Sequence, residues 1–309
     1  MPDCQPDDLR DRARGALLGL AVGDAVGTTL EFTVKDRGPP LADLVGGGPF
    51  RLKPGEWTDD TSMALALGES LLACGGLDAD HLMRAFCAWA ERGEYSHNGR
   101  CFDIGNTVRA ALDRYRATGN PMAGRTDPAT AGNGSLMRLA PVPIRYCLDA
   151  PMRSAVARAQ SRTTHGAEEA VEACAAYADL VAEAIRGRPK SDVLTPRDGP
   201  WPPKVARALR METLSWDRSK VRGSGYVIHS LEAALWAVGQ APDVRTAILL
   251  AANLGEDADT TAAIAGQLAG ALWGASGIPA AWLAQLAWRD RITGLADALL
   301  DAALRESRP

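Results

Sequence analysis

The sequence predicts an all-α protein, on three observations. Among 309 residues there are 55 Ala and 31 Gly against 15 Val and 8 Ile, and alanine favours helices whereas β-branched residues favour sheets. Apolar residues recur at helical spacing along most of the chain, with no alternating stretch of comparable length. Two segments also carry small residues every fourth position: Gly15, Gly19, Gly23 and Gly27, then Ala262, Gly266, Gly270 and Gly274. Residues at i and i+4 share one helix face, so each segment is a helix with a stripe bare of side chains, suited to close backbone packing.

In chain order, the first helix is expected over about 7–29 and carries the first ladder. Gly38-Pro39-Pro40 and Gly46-Gly47-Gly48-Pro49 then mark loops. Periodicity resumes at 60–74, behind Thr58-Asp59-Asp60-Thr61, and at 78–92. Helices follow at 105–118 and 133–146, opened by Gly105-Asn106-Thr107 and Gly132-Asn133-Gly134, with a turn at Asn120-Pro121 between them. Further periodic stretches cover 151–161 and 166–187, the second opened by Thr164-His165. After the polar, proline-bearing stretch 187–203, helices are expected at 202–214, 225–239, 243–253, 259–273 and, with breaks, 279–306. No segment has the composition of an interdomain linker, so residues 1–309 are expected to form a single domain, with its motifs between about 11 and 274 and C-terminal helices at 279–306.

Thr260 to Trp288 contains no charged residue, long enough for a membrane span. Its Ala and Gly content, the break from Gly274 to Pro279, and Asp257 and Asp259 at its start fit two buried helices better. The net charge of -4 and pI near 5.7 argue against stable binding to a nucleic-acid backbone. The six cysteines form no CxxC pair and the start MPDCQPDDLR has no apolar core, so a cytoplasmic protein with reduced thiols is expected. Nothing supplies a cysteine with a base, which argues against a thiol nucleophile.

Two acidic clusters remain: Thr58 to Thr61, and Glu256-Asp257-Ala258-Asp259-Thr260-Thr261. Either alone reads as helix capping, since Thr and Asp suit N-caps and carboxylates suit a first turn. Together, four Asp and two or three Thr offer an all-oxygen set that could hold one or two hard divalent cations such as Mg or Mn. Zinc is disfavoured, because His81, His97, His165 and His229 lie far in sequence from one another. A His-Asp phosphohydrolase is excluded by the lack of a His-Asp dipeptide, and a terpene-synthase DDxxD motif by Met63. Trp57 reads as packing, and Glu168, Glu169 and Glu172 as a solvated face.

The order of motifs resembles the ADP-ribosylglycohydrolase family, which includes the dinitrogenase reductase-activating glycohydrolase and the ADP-ribosyl-acceptor hydrolases. The matching segments are Gly19 to Gly27 with Asp24, continuing through Glu31; Trp57 to Thr61; Phe102 to Thr107; Gly132 to Arg138; Thr164-His165; Gly225 to Trp236; and Asn253 to Thr261. This resemblance implies an orthogonal multi-helix bundle with a binuclear Mg or Mn centre at the base of an ADP-ribose cleft. It implies metal ligands at Thr58, Asp59 and Asp60 and at Asp257, Asp259 and Thr260, with Asp259 bridging. It also implies a mobile Glu31 at the cleft mouth, Asp103 with Gly105 and Asn106 beside the scissile bond, and Asn133, Gly134, Ser135, Met137 and His165 on the substrate. Asp103, then Glu31, are the acid/base candidates, and Asp60 is counted with the catalytic group. The implied reaction is hydrolysis of the bond between ADP-ribose and an acceptor, foremost arginine on a protein. Alternatives are another ADP-ribosyl linkage (serine, O-acetyl-ADP-ribose, nucleic acid) and a non-enzymatic binding or structural relative. A monomer is favoured. Two departures stand out: Glu256, where many relatives have Gly, is expected to point away from the ions, and His229 replaces a frequent Asp or Asn.

Overall fold

The computed structural model describes residues 6–306. The described residues form fourteen α-helices: α1 (Pro6–Gly27), α2 (Asp59–Ala73), α3 (Ala79–Arg92), α4 (Asn106–Thr118), α5 (Pro141–Arg145), α6 (Ala150–Thr164), α7 (Glu168–Ile185), α8 (Lys190–Val193), α9 (Pro203–Leu209), α10 (Val227–Gln240), α11 (Val244–Ala252), α12 (Ala258–Trp273), α13 (Ala280–Gln285) and α14 (Arg289–Glu306). Short 3-10 turns punctuate them, and isolated bridges such as Arg125 to His165 stand in place of any strand ladder among these residues. None of these helices is long and apolar enough to cross a membrane. Cys4 lies outside the described residues, and the other five cysteines are free thiols.

The centre of the bundle is the α1–α12 pair, surrounded by α2, α7, α10, α11 and α14. From Gly15 onward α1 is buried on every side, and so is α12 from Ala258 to Leu272, which is why neither shows the one-sided apolar stripe of a surface helix. The two ladders face each other in antiparallel order. A Cβ placed on Gly15 would lie 2.1 Å from Gly270 O, on Gly19 2.2 Å from Gly266 O, on Gly23 2.2 Å from Ala262 O, and on Gly27 2.4 Å from Ala258 O. Only glycine permits this approach, and it brings the end of α1 against the start of α12.

Where the sequence expectation and the structure part, local chemistry explains it. Residues 133–146 are not one helix. Residues 133–140 form turns and bends, and only Pro141–Arg145 is helical, because Pro141 and Pro143 lack amide protons and suit a first turn but not a helix interior. Gly132-Asn133-Gly134 therefore opens no helix. His165 likewise opens none; it closes α6, its N–H donating to Ser161 O at 2.7 Å. Residues 202–214 split at Arg210 into α9 and a 3-10 turn. Glu169 and Glu172 are not a free solvated face. Glu169 pairs with Lys204 and Tyr226, and Glu172 holds Arg158.

Candidate active site

Both acidic clusters open buried helices, so capping is the first reading to examine. Neither Thr58 nor Asp257, the residues in the N-cap positions of α2 and α12, caps its helix with its side chain. The caps come from the end of α1. Asp24, fully buried, accepts from Thr58 N at 2.9 Å, Thr58 Oγ1 at 2.8 Å, Thr61 N at 3.0 Å and Thr61 Oγ1 at 2.7 Å. Just beyond α1, Glu31 Oε2 accepts from Ala258 N at 2.7 Å and Asp259 N at 3.3 Å. A carboxylate in the last turn of a helix opposes the helix dipole, so Asp24 is placed for α2 rather than for α1. With both helix ends satisfied from outside, the Asp side chains of the two clusters are left to face one another.

Carboxylate oxygens of Glu31, Asp257 and Asp259 lie within 4.8 Å of one another. Thr58 Oγ1 is 3.4 Å from Asp259 Oδ2, and Thr260 Oγ1 donates to Asp60 Oδ1 at 3.3 Å, joining clusters about 200 positions apart in the chain. Asn133 Nδ2 donates to Asp257 Oδ2 at 2.7 Å. Asp60 Oδ2 is buried with no hydrogen-bond partner. Burial, then the charge of Asp257, raises Asp259 to about 7; burial raises Asp24 to about 6 against its four hydrogen bonds. Asp59 and Asp60 are held well above the usual carboxylate range, mainly by burial and then by neighbouring Asp charges. Glu31 and Asp103 are pushed up strongly by burial and the nearby aspartates. Like charges this close cannot all ionise in a dry site without cations or protons between them. The partnerless Asp60 oxygen and the all-oxygen donor set fit a hard divalent cation.

Glu31, Asp59, Asp103, Asp257 and Asp259 line a cleft of about 660 Å³, within the range of small-molecule sites. Its lining includes Asp103, Gly105 and Asn106, then Asn133, Gly134, Met137 and His165, and Glu31, Asp59, Asp257, Asp259 and Thr260. Phe32, Asp103 and Glu256, all in this lining, have φ of 59°, 58° and 59°, a left-handed backbone that costs a non-glycine residue energy and tends to be kept where function requires it. Thr58 and Asp60 sit behind this lining, in contact with it through Asp259 and Thr260.

The family follows from comparison with known proteins. A family model described as ADP-ribosylglycohydrolase matches residues 5–308. The chain belongs to the ADP-ribosylglycohydrolase family. It is 49% identical over 300 residues to ADP-ribosylarginine hydrolase Tri1 of Pseudomonas putida, covering 96% of this chain and 80% of the relative. Identity to ADP-ribosylarginine hydrolase Tri1 of Serratia proteamaculans is 47%, over 96% of this chain and 81% of that one. The ADP-ribosyl-dinitrogen reductase glycohydrolase of Rhodospirillum rubrum is 34% identical, over 90% and 91%. A solved structure titled ADP-ribosylglycohydrolase-related protein complex superposes with a TM-score of 0.86 at 43% identity, covering 96% of this chain and 99% of that one.

In this ADP-ribosylglycohydrolase several residues singled out from the sequence have particular places. Ser135 is buried below the cleft wall rather than in its lining, its Oγ accepting from Ser161 Oγ at 2.8 Å. Glu256 is exposed and lines the cleft mouth, its backbone paired with Phe32 and Thr33. Trp57 is a packing residue, fully buried, with Nε1 donating to Ala287 O at 3.0 Å. His229 stacks edge-on against Tyr226 and shares a 2.7 Å hydrogen bond with Ser224. Asp24 was legible as part of a motif, but its role was not, because a cap contributed by another helix leaves no local spacing to read.

Proposed function

We propose that this enzyme hydrolyses the N-glycosidic bond between ADP-ribose and arginine on a modified protein, using two Mg or Mn ions. The observation that carries this reading is the cluster of Glu31, Asp257 and Asp259, whose carboxylate oxygens lie within 4.8 Å of one another, in the lining of a cleft of about 660 Å³. The arginine linkage is supported by the two relatives named ADP-ribosylarginine hydrolase, each near half identical over 96% of the chain. Thr58, Asp59 and Asp60 would hold one side of the metal pair, and Asp257, Asp259 and Thr260 the other.

Cleavage at ribose C1 passes through an oxocarbenium-like state, so the site must hold the ribose, direct a water to C1 and protonate the departing nitrogen. When bound, the two cations supply Lewis acidity beside the ribose and lower the pKa of a nearby water. Asp103, whose carboxyl is pushed up by burial and then by the charges of Asp59 and Asp259, is the first candidate to give a proton to the departing guanidine nitrogen. Glu31 is the second; leaving its hydrogen bonds to Ala258 N and Asp259 N would free it to act on the substrate. Free amides at the start of the 13-residue helix α4, beside exposed Gly105 and Asn106, suit the diphosphate. A substrate panel tests the linkage: ADP-ribosyl-arginine should release ADP-ribose at least tenfold faster than ADP-ribosyl-serine or O-acetyl-ADP-ribose. Equal or reversed rates would refute the arginine assignment.

A further inference from the structure

The cleft lining contains six carboxylates, Glu31, Asp59, Asp103, Glu256, Asp257 and Asp259, and neither Lys nor Arg. Within this lining an anionic substrate meets no Lys or Arg side chain. Behind the wall, however, lies Arg138, fully buried. Its Nε donates to Gln160 Oε1 at 3.0 Å, its Nη2 to Gln160 O at 3.0 Å and Thr164 Oγ1 at 2.9 Å, and its guanidinium sits 4.6 Å from the Phe86 ring centre. Among the described residues no carboxylate forms an ion pair with it. A buried cation without a counterion is costly, so its position calls for a purpose.

Resting on the reading that ADP-ribose occupies this cleft, we infer that Arg138, acting through Thr164, fixes His165 as a neutral imidazole protonated on Nε2, a donor aimed at the substrate's diphosphate. Thr164 Oγ1 receives Arg138 and lies 2.8 Å from His165 Nδ1. The usual outlet for a helical Thr proton, the carbonyl four residues back, is Gln160 O, which already accepts from Arg138 Nη2 and from Thr163 Oγ1 at 2.7 Å. The Thr164 proton therefore goes to Nδ1, and the ring's own proton must be on Nε2. Burial, then the Arg138 charge, lowers His165 to about 3, so the ring stays neutral.

Among the described residues Nε2 has no hydrogen-bond partner, and it lies against two glycines. A Cβ on Gly134 would come within 2.7 Å of His165 Cε1 and 3.0 Å of Nε2, and one on Gly132 within 3.4 Å of Nε2. These glycines keep the donor open to the cleft. His165 touches substrate in this account, while Arg138 and Thr164 are positioning residues that place its proton and set a positive charge behind it.

The chain has four histidines, so nitrogen NMR of histidine-labelled protein resolves the point, with the His165 signal identified by its loss in His165→Gln. The expected wild-type spectrum has Nε2 pyrrole-like and Nδ1 pyridine-like from pH 5 to 8. A Thr164→Val variant should lose the single tautomer and Thr164→Ser should keep it. By calorimetry, His165→Asn should bind ADP-ribose at least tenfold more weakly than wild type, and His165→Gln, whose amide reaches the Nε2 position, within about threefold. An Nδ1–H tautomer or an imidazolium at His165 in the wild type would overturn the inference even if Thr164→Val misfolded, and so would wild-type affinity in His165→Asn. A wild type that binds no ADP-ribose would instead overturn the functional reading of the cleft, whatever the tautomer.

Discussion

The packing of α1 on α12 makes a prediction that separates stability from site geometry, using two glycines of one ladder. In Gly27→Ala, the new Cβ would lie 2.4 Å from both Ala258 O and Asp259 Cα, whereas contact below 3.4 Å is already tight. The helices must part locally by about 1 Å, at the residue that carries a central carboxylate. In Gly15→Ala the new Cβ meets Gly270 O at 2.1 Å, about 18 Å away along the helix at 1.5 Å per residue. Overpacking of this kind costs about 1–3 kcal/mol, offset by up to about 1 kcal/mol from removing a helical glycine. Both variants should therefore lose about 1–2 kcal/mol, read as a fall of a few degrees in thermal midpoint. Metal affinity should divide them, because metal sites tolerate ligand displacements of only about 0.2 Å. Calorimetric titration with Mn should show Gly27→Ala weakened by about 10-fold to 100-fold, the range typical of disturbed ligand support, and Gly15→Ala within about threefold of wild type. Wild-type Mn affinity in a folded, destabilised Gly27→Ala would show that the ladders are packing alone. Gly23→Val and Gly266→Val, with larger side chains between these ends, should lose both stability and metal binding.

Three further outcomes are expected. Asp59→Asn and Asp259→Asn should retain the helical circular dichroism of wild type while losing turnover below one percent; turnover near wild type would remove these residues from the centre. Asp259 and Asp24 titrate in the fold at about 7 and about 6, above the ordinary 3.8, so the metal-free fold holds their protons more tightly than the unfolded chain does. Their contribution is complete below about pH 4 and is lost as pH rises through 7, so chelated protein should melt lower at pH 8 than at pH 5, with added Mg or Mn restoring the difference. A chelated midpoint that rises from pH 5 to pH 8 would contradict this. Asp24→Asn turns an amide donor toward Thr58 or Thr61, leaving buried donors opposed, and should cost about 1–3 kcal/mol by urea denaturation; a neutral result would deny Asp24 its capping role.

Much of the fold was legible because its two central helices carry a signal that depends only on spacing. Four-residue ladders of small side chains imply close packing, and Gly15 to Gly27 do lie on Gly274 to Ala258. The meeting of the two acidic clusters was legible from their pairing, since either alone suits a helix cap and only the two together suggest a shared site, and Thr58 and Thr260 do reach across to Asp259 and Asp60. The caps were not: Asp24 serves α2 and Glu31 serves α12 across gaps of 34 and 227 residues, and propensities describe neighbours in sequence. The segment from Asn133 to Ala140 has the sequence pattern of a helix but forms turns, because its apolar residues are buried by tertiary contact without helical backbone. His165 was singled out, but its state depends on Arg138 and Thr164, whose arrangement exists only in the folded chain.

The central claim, that carboxylates from α2 and α12 hold divalent cations that drive hydrolysis of an arginine-linked ADP-ribose, is tested most directly by one assay. Purified protein is incubated with ADP-ribosyl-arginine protein, with and without chelator, and free ADP-ribose is measured. Release that stops on chelation and returns with excess Mg or Mn is predicted. Release unaffected by thorough chelation, or no release under any metal condition, would contradict it.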